Sequence, residues 1–176
     1  MAFLVLVGNP RPQSRTLQIA RQAAAAVSER VGDSGAADVV DLSLLAPGLL
    51  EPAPAPEVVS ALEQVVAADV LVVASPTYKA TYTGLLKVFL DRLPGGALAS
   101  TVALPLLVMG DPKHSLAVEV HLRPLLVELG ATVPTPGLAF LESQVPDAAG
   151  VLGAWADLVA PQVSAALAQR KAAGVA

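Results

Sequence analysis

The stretch Gly8-Asn9-Pro10-Arg11-Pro12-Gln13-Ser14-Arg15-Thr16 gathers two guanidinium groups, two hydroxyls and two carboxamides within nine positions. All of these groups can donate hydrogen bonds to an anion, and arginine matches phosphate with a planar fork of donors. Ser14 or Thr16 can also cap a helix beginning here, whose free N–H groups suit negative charge. The first acidic residue along the chain is Glu29, so no local carboxylate opposes an anion. The stretch lacks both the G-x-x-x-x-G-K-[ST] loop and the G-x-G-x-x-G fingerprint. Taken alone, it fits either a phosphate cradle or a solvated polar turn.

A second concentration of functional groups is Ser75-Pro76-Thr77-Tyr78-Lys79-Ala80-Thr81-Tyr82-Thr83-Gly84. It contains both tyrosines of a chain that is only 3% aromatic, so this is where a planar ring would find an edge to lie against. The same tyrosines could instead cover the core. A third stretch, Gly110-Asp111-Pro112-Lys113-His114, offers close backbone approach at the glycine and polar partners at Asp111 and His114. It also reads as an ordinary strand-to-helix turn.

These stretches need a scaffold. Each follows an apolar run: Ala2–Val7, Val70–Ala74 and Val102–Met109. Such runs read as strands buried on both faces, as in a parallel sheet. Ala37–Leu42 and the interrupted Ala131–Phe140 supply two further strands. Pro105 lies inside one strand, where a missing N–H predicts a bulge. Helical patterns fall at Leu17–Arg30, Glu57–Ala68, Tyr82–Leu93, Ser115–Leu129 and Val151–Lys171, the last with Leu152, Trp155, Leu158 and Val159 as its apolar stripe. Ala46–Pro56, rich in proline, is a loop. Alternating strands and helices call for a parallel sheet covered on both faces. A ligand then binds beyond the carboxyl ends of the strands, the edge on which all three polar stretches fall.

Composition narrows the function classes. The 176 residues are expected to form a single domain spanning 1–176. The chain has no cysteine and two histidines, which argues against a thiolate or zinc centre, so no metal site is expected. A net charge of −4 without a basic run argues against nucleic acid. No apolar run long enough for a membrane span and no signal sequence are apparent, so a soluble cytoplasmic protein is expected. Apolar residues make up 54% of the chain and charged residues 15%, which favours burial against another subunit.

The three polar stretches together resemble the NADPH-dependent FMN reductases. Gly8-Asn9-Pro10-Arg11 with Ser14-Arg15-Thr16 is similar to their G-S-P-R-x-x-S-R-T loop. Ser75 to Tyr78-Lys79 and on through Lys87 resembles their second signature, and His114–Pro124 with Leu129-Gly130-Ala131 resembles a third segment. The similarity is closest to two-component reductases that feed reduced flavin to sulfonate monooxygenases. It implies a flavodoxin-like, doubly wound five-stranded parallel sheet in the order 2-1-3-4-5 with helices on both faces, FMN at the sheet edge, and a homo-dimer or homo-tetramer. It also implies NADPH or NADH as donor. Arg11, Ser14 and Thr16 would hold the FMN phosphate with Arg15 nearby. Pro76, Thr77 and Tyr78 would line the ring, with Lys79 in the same loop and Gly110, Asp111 and His114 opposite. No side chain is expected to act as a catalytic acid or base. Two positions depart from the pattern: Asn9 replaces serine, and Met109 replaces the first of two glycines.

Other flavin chemistries share this pattern. One is a reductase that keeps its FMN and reduces quinones or azo dyes; another is a flavin-binding electron carrier. A carrier calls for a strongly acidic docking face, but Asp+Glu is 15 against Lys+Arg 11. In the Ser115–Leu129 helix, Pro124 deprives the Val120 carbonyl of its partner, so a kink or a π-bulge is expected around Val118–Leu122. The apolar residues Leu116, Val118, Val120, Leu122, Leu125 and Leu126 exceed what one buried face requires. This helix is therefore expected to pack on its counterpart, with charge at Val118 or Leu122 breaking the assembly.

Overall fold

The computed structural model describes residues 1–134 and 136–172. Five parallel strands lie in the order β2-β1-β3-β4-β5: β1 Phe3–Val7, β2 Asp38–Asp41, β3 Val70–Pro76, β4 Val102–Met109 and β5 Leu138–Leu141. This is the flavodoxin-like order anticipated from the resemblance. Both faces are covered because successive side chains alternate across the sheet. Leu4, Leu6, Leu71, Val73, Ala103 and Leu107 face one core, closed by helices α2 (Pro56–Ala67), α3 (Gly84–Leu90) and α4 (Arg123–Glu128). Phe3, Val5, Val7, Val70, Val72, Leu104 and Leu106 face the other, closed by α1 (Arg15–Arg30) and α5 (Ala148–Ala172).

Several expectations shift in detail. Leu158 is exposed; the buried stripe of α5 is Leu152, Trp155, Ala156, Val159 and Val163. With its preceding turn, this helix is long and apolar enough to cross a membrane by composition alone (mean hydropathy 1.3), contrary to the sequence reading. In the fold that stripe packs on the sheet. The segment anticipated as an open loop after β2 is organised by short 3-10 turns at Leu42–Leu44 and Ala46–Gly48. Arg92 fastens its end by donating to the carbonyls of Leu49 and Glu51.

No bulge forms at Pro105. The register with β3 runs unbroken from Val70↔Val102 to Pro76↔Val108. The Ala103 N–H points toward the β5 side, where it meets the Thr132 carbonyl, and position 105 faces the same way. Pairing with β5 begins only at Leu106↔Leu138, so the proline lacks a donor where no strand would use one. The fifth strand is correspondingly shorter than Ala131–Phe140: its first half is reduced to an isolated bridge between Val102 and Thr132.

The helix anticipated over Ser115–Leu129 is broken. A 3-10 turn at Pro112–His114 precedes a π-helical turn at Val118–Leu122, which leads into α4. The Arg123 N–H reaches back five residues to the Val118 carbonyl, which places Pro124 in the first turn of α4, where its missing N–H is harmless. Gly130, with φ +93°, ends the helix as anticipated.

Candidate functional site

Because all strands are parallel, the loops after β1, β3, β4 and β5 share the carboxyl edge. The strand order reverses between β1 and β3, which opens a crevice between their loops.

The first loop is braced from within. The buried Asn9 donates its amide N–H to Thr16 Oγ1 at 3.0 Å and accepts from the Arg11 backbone N–H at 2.9 Å through Oδ1. The departure from serine thus brings a side chain that spans the loop. Ser14 is the N-cap of α1: its Oγ accepts from the Leu17 N–H at 3.2 Å, while Gln18 N–H bonds the Ser14 carbonyl. Each hydroxyl, of Ser14 and of Thr16, accepts in these bonds and keeps its own proton to donate. The N–H groups of Arg15 and Thr16 make no hydrogen bond among the described residues. Arg11 is exposed and enters no ion pair among those residues.

Arg15 is placed differently from the sequence reading. Its guanidinium lies 3.4 Å from Glu142, the residue after β5. A carboxylate therefore does stand beside this loop, supplied by a distant part of the chain.

The second loop is fastened to the first through Thr83. Thr83 Oγ1 donates to the Gly8 carbonyl at 2.5 Å and accepts from the Leu86 N–H at 3.2 Å, capping α3. The Thr83 N–H in turn reaches Ser75 Oγ at 3.0 Å. The contact is tight enough that a Cβ on Gly8 would lie 2.5 Å from Leu86 Cβ, which leaves glycine as the residue that fits. Sequence reasoning did not single out Ser75 and Thr83 as the tie between loops; their adjacency depends on β1 and β3 being neighbours.

Pro76 ends β3 and is buried. Thr77 donates its N–H to the Val108 carbonyl at 2.8 Å, and its hydroxyl oxygen is buried without a partner among the described residues. Tyr78 pairs with Thr81 across a turn formed by Lys79 (φ +53°) and Ala80 (φ +69°), two side-chain-bearing residues in the left-handed region. Among the described residues the other such non-glycine is Gln13 (φ +52°) in the first loop, so this strain is confined to the two loops of the crevice. Tyr78 is 43% exposed, whereas Tyr82 packs against the core, so core cover falls to Tyr82 alone.

The third loop is a compact turn. Asp111 Oδ1 accepts from the Lys113 N–H at 3.0 Å and Oδ2 pairs with Lys113 Nζ at 2.7 Å. These bonds hold the Asp111 carboxyl below the usual carboxylate range. Its carboxylate is thus engaged within its own turn, and His114 stands half-buried at the end of it. Among the described residues, nothing beyond its chain neighbours lies within 4 Å of where a Cβ on Gly110 would stand.

The sequence profile of the family described as NADPH-dependent FMN reductase matches residues 1–145. An FMN reductase (NADPH) of Escherichia coli (strain K12) is 37% identical over 150 residues, covering 84% of this chain and 76% of that one. SfnF, an NADH-dependent FMN reductase of Pseudomonas fluorescens (strain Pf0-1), is 33% identical over 91 residues, 52% of this chain and 49% of that one. Among solved structures, the apo form of the NADH:FMN oxidoreductase EMOB superposes with a TM-score of 0.77 at 33% identity, over 92% of this chain and 89% of the other.

Proposed function

The chain belongs to the NADPH-dependent FMN reductase family, and from that premise we propose that the crevice between the β1 and β3 loops holds FMN, phosphate toward Gly8–Thr16 and ring toward Pro76–Lys79. Its reaction uses FMN and NAD(P)H: the nicotinamide gives up a hydride and FMN takes it up with a proton from solvent, leaving reduced flavin and oxidised nucleotide.

The set of unused donors at the start of α1 supports this reading most strongly. The Arg15 and Thr16 N–H groups, the hydroxyls of Ser14 and Thr16, and the exposed Arg11 lie within six positions at the start of α1, in a loop braced by Asn9. A dianionic phosphate satisfies them and gains from the helix N-terminus. At the ring end, the buried and unpaired Thr77 hydroxyl can donate to a polar rim, Tyr78 offers an exposed aromatic edge, and the open space above Gly110 leaves room on the other side. The Thr83–Gly8 bond fixes the spacing of the two ends. The protein's contribution is orientation; proton exchange with solvent needs no dedicated acid or base. Lys79, Asp111 and His114 rim the mouth, with Asp111 bound to Lys113.

Reduced flavin is released to a partner monooxygenase in this proposal, which follows the resemblance to two-component reductases. The protein acts in the cytoplasm beside its nicotinamide donor. It works as a homo-dimer or homo-tetramer, and the face presented to the second copy is Leu116, Val120 and Val127, 69%, 56% and 55% exposed, with His121 alongside. Val118 and Leu122, expected at that interface, are 2% and 0% exposed and belong to the core of their own subunit, because the π-helical turn rotates them inward.

Purification followed by steady-state kinetics tests the proposal. Protein that emerges colourless and oxidises NADPH or NADH only when FMN is added supports flavin as a released substrate. Yellow protein that reduces quinones or azo dyes without exchanging its flavin overturns release.

A further inference from the structure

We infer that Glu142 sets how weakly the flavin phosphate is held, by drawing Arg15 away from it; this rests on the placement of the phosphate at Gly8–Thr16 proposed above.

Arg15 is the first residue of α1, one position past the Ser14 cap, where a cation would serve an anion at the helix start. A cation at the N-terminus of a helix otherwise opposes the helix dipole, so its presence there calls for a negative partner. Among the described residues that partner is Glu142, 3.4 Å away. Glu142 is the first residue beyond β5, which places its carboxylate on the edge that carries the ligand loops. Both side chains are largely exposed, 61% and 43%, so the pair adds little to folding. Its consequence falls on the ligand. Of the two guanidinium groups in the loop, Arg11 enters no ion pair among the described residues, while Arg15 is engaged by Glu142 and so withheld from the phosphate. Phosphate affinity is reduced without any change at the ring, which suits an enzyme that must let its product go.

Flavin binding to the purified protein, followed by quenching of flavin fluorescence, tests this with FMN and riboflavin as the paired probes. Glu142→Gln should tighten FMN about three- to tenfold, the effect of freeing one surface cation to face the phosphate, and leave riboflavin unchanged. Arg15→Ala in the otherwise native chain should change FMN affinity less than twofold, whereas in the Glu142→Gln background it should cancel most of the gain. Such non-additivity marks a residue acting through another; a purely structural role would move both flavins together. Unchanged or weakened FMN binding in Glu142→Gln overturns the inference, since a carboxylate that merely orients Arg15 onto the phosphate predicts weakening. Arg11→Ala separates the two layers. If it fails to discriminate FMN from riboflavin, the phosphate placement is wrong; if it discriminates while Glu142→Gln has no effect, only the role of Glu142 falls.

Discussion

Tyr78 and Tyr82 show how residues of one type divide their work. Tyr82 packs against the core, while Tyr78 projects from a turn whose Lys79 and Ala80 occupy left-handed backbone. An exposed aromatic held on a rigid lip is suited to a planar ring, where edge or stacking contacts contribute about 0.5–1.5 kcal/mol. Tyr78→Ala is therefore expected to weaken FMN and riboflavin alike, by about two- to tenfold, in equilibrium titrations. A loss confined to FMN would mean that the two loops have exchanged roles. The grouping of Ser14, Thr16 and Arg11 at the start of α1 was legible in the sequence because a strand, a loop and a helix start lie consecutively there. The engagement of Arg15 by Glu142 was not, because it joins the start of α1 to the end of β5, far apart in the chain.

Proline set the limits of sequence reading at the scale of elements. Pro105 predicted a bulge, but the register with β3 runs through it unbroken and pairing with β5 begins only at the next residue, Leu106. Pro124 predicted a disturbed helix, and the disturbance is the π-helical turn Val118–Leu122. The clamp on that turn was invisible in sequence: Glu119 Oε2 accepts from Arg123 Nε, Glu119 Oε1 accepts from the Gly137 N–H at 2.7 Å, and Arg123 donates to the Val133 carbonyl at 2.7 Å. Gly137 fits because a Cβ there would lie 2.8 Å from Val118 Cγ2 and 3.0 Å from Pro105 Cγ. The hydrogen bond from Arg123, joined by the one from Gly137, holds the Glu119 carboxyl below its ordinary value against the opposing effect of burial. Since the folded protein favours the ionised form more than the unfolded chain does, the stabilisation is complete at neutral pH. It is lost as pH falls below the ordinary glutamate value of about 4.3 and through the lower folded value. Glu119→Gln should lower the thermal midpoint at pH 7 and leave a flatter decline toward pH 3 than the native chain shows. Parallel melting curves with an undiminished acid slope would rule out this contribution.

For the whole molecule, the parallel sheet and its order followed from alternating apolar runs and from the family resemblance. Which face of the 115–129 segment points outward did not, because a π turn shifts the helical register by one residue and sequence periodicity assumes there is none. Val120→Glu places charge on a position 56% exposed, so the subunit should fold normally while assembly is lost and FMN-dependent turnover falls. Sedimentation at micromolar concentration reads the first effect, and intact assembly in the variant would remove this face from consideration. The placement of the flavin across the crevice is tested most directly by titrating Arg11→Ala and the native protein with FMN and riboflavin in parallel. A charge-assisted hydrogen bond contributes roughly 1.5–3 kcal/mol, so FMN should weaken about tenfold or more while riboflavin, which lacks the phosphate, binds as before. Equal losses for both flavins, or none for either, would contradict a phosphate held at Gly8–Thr16.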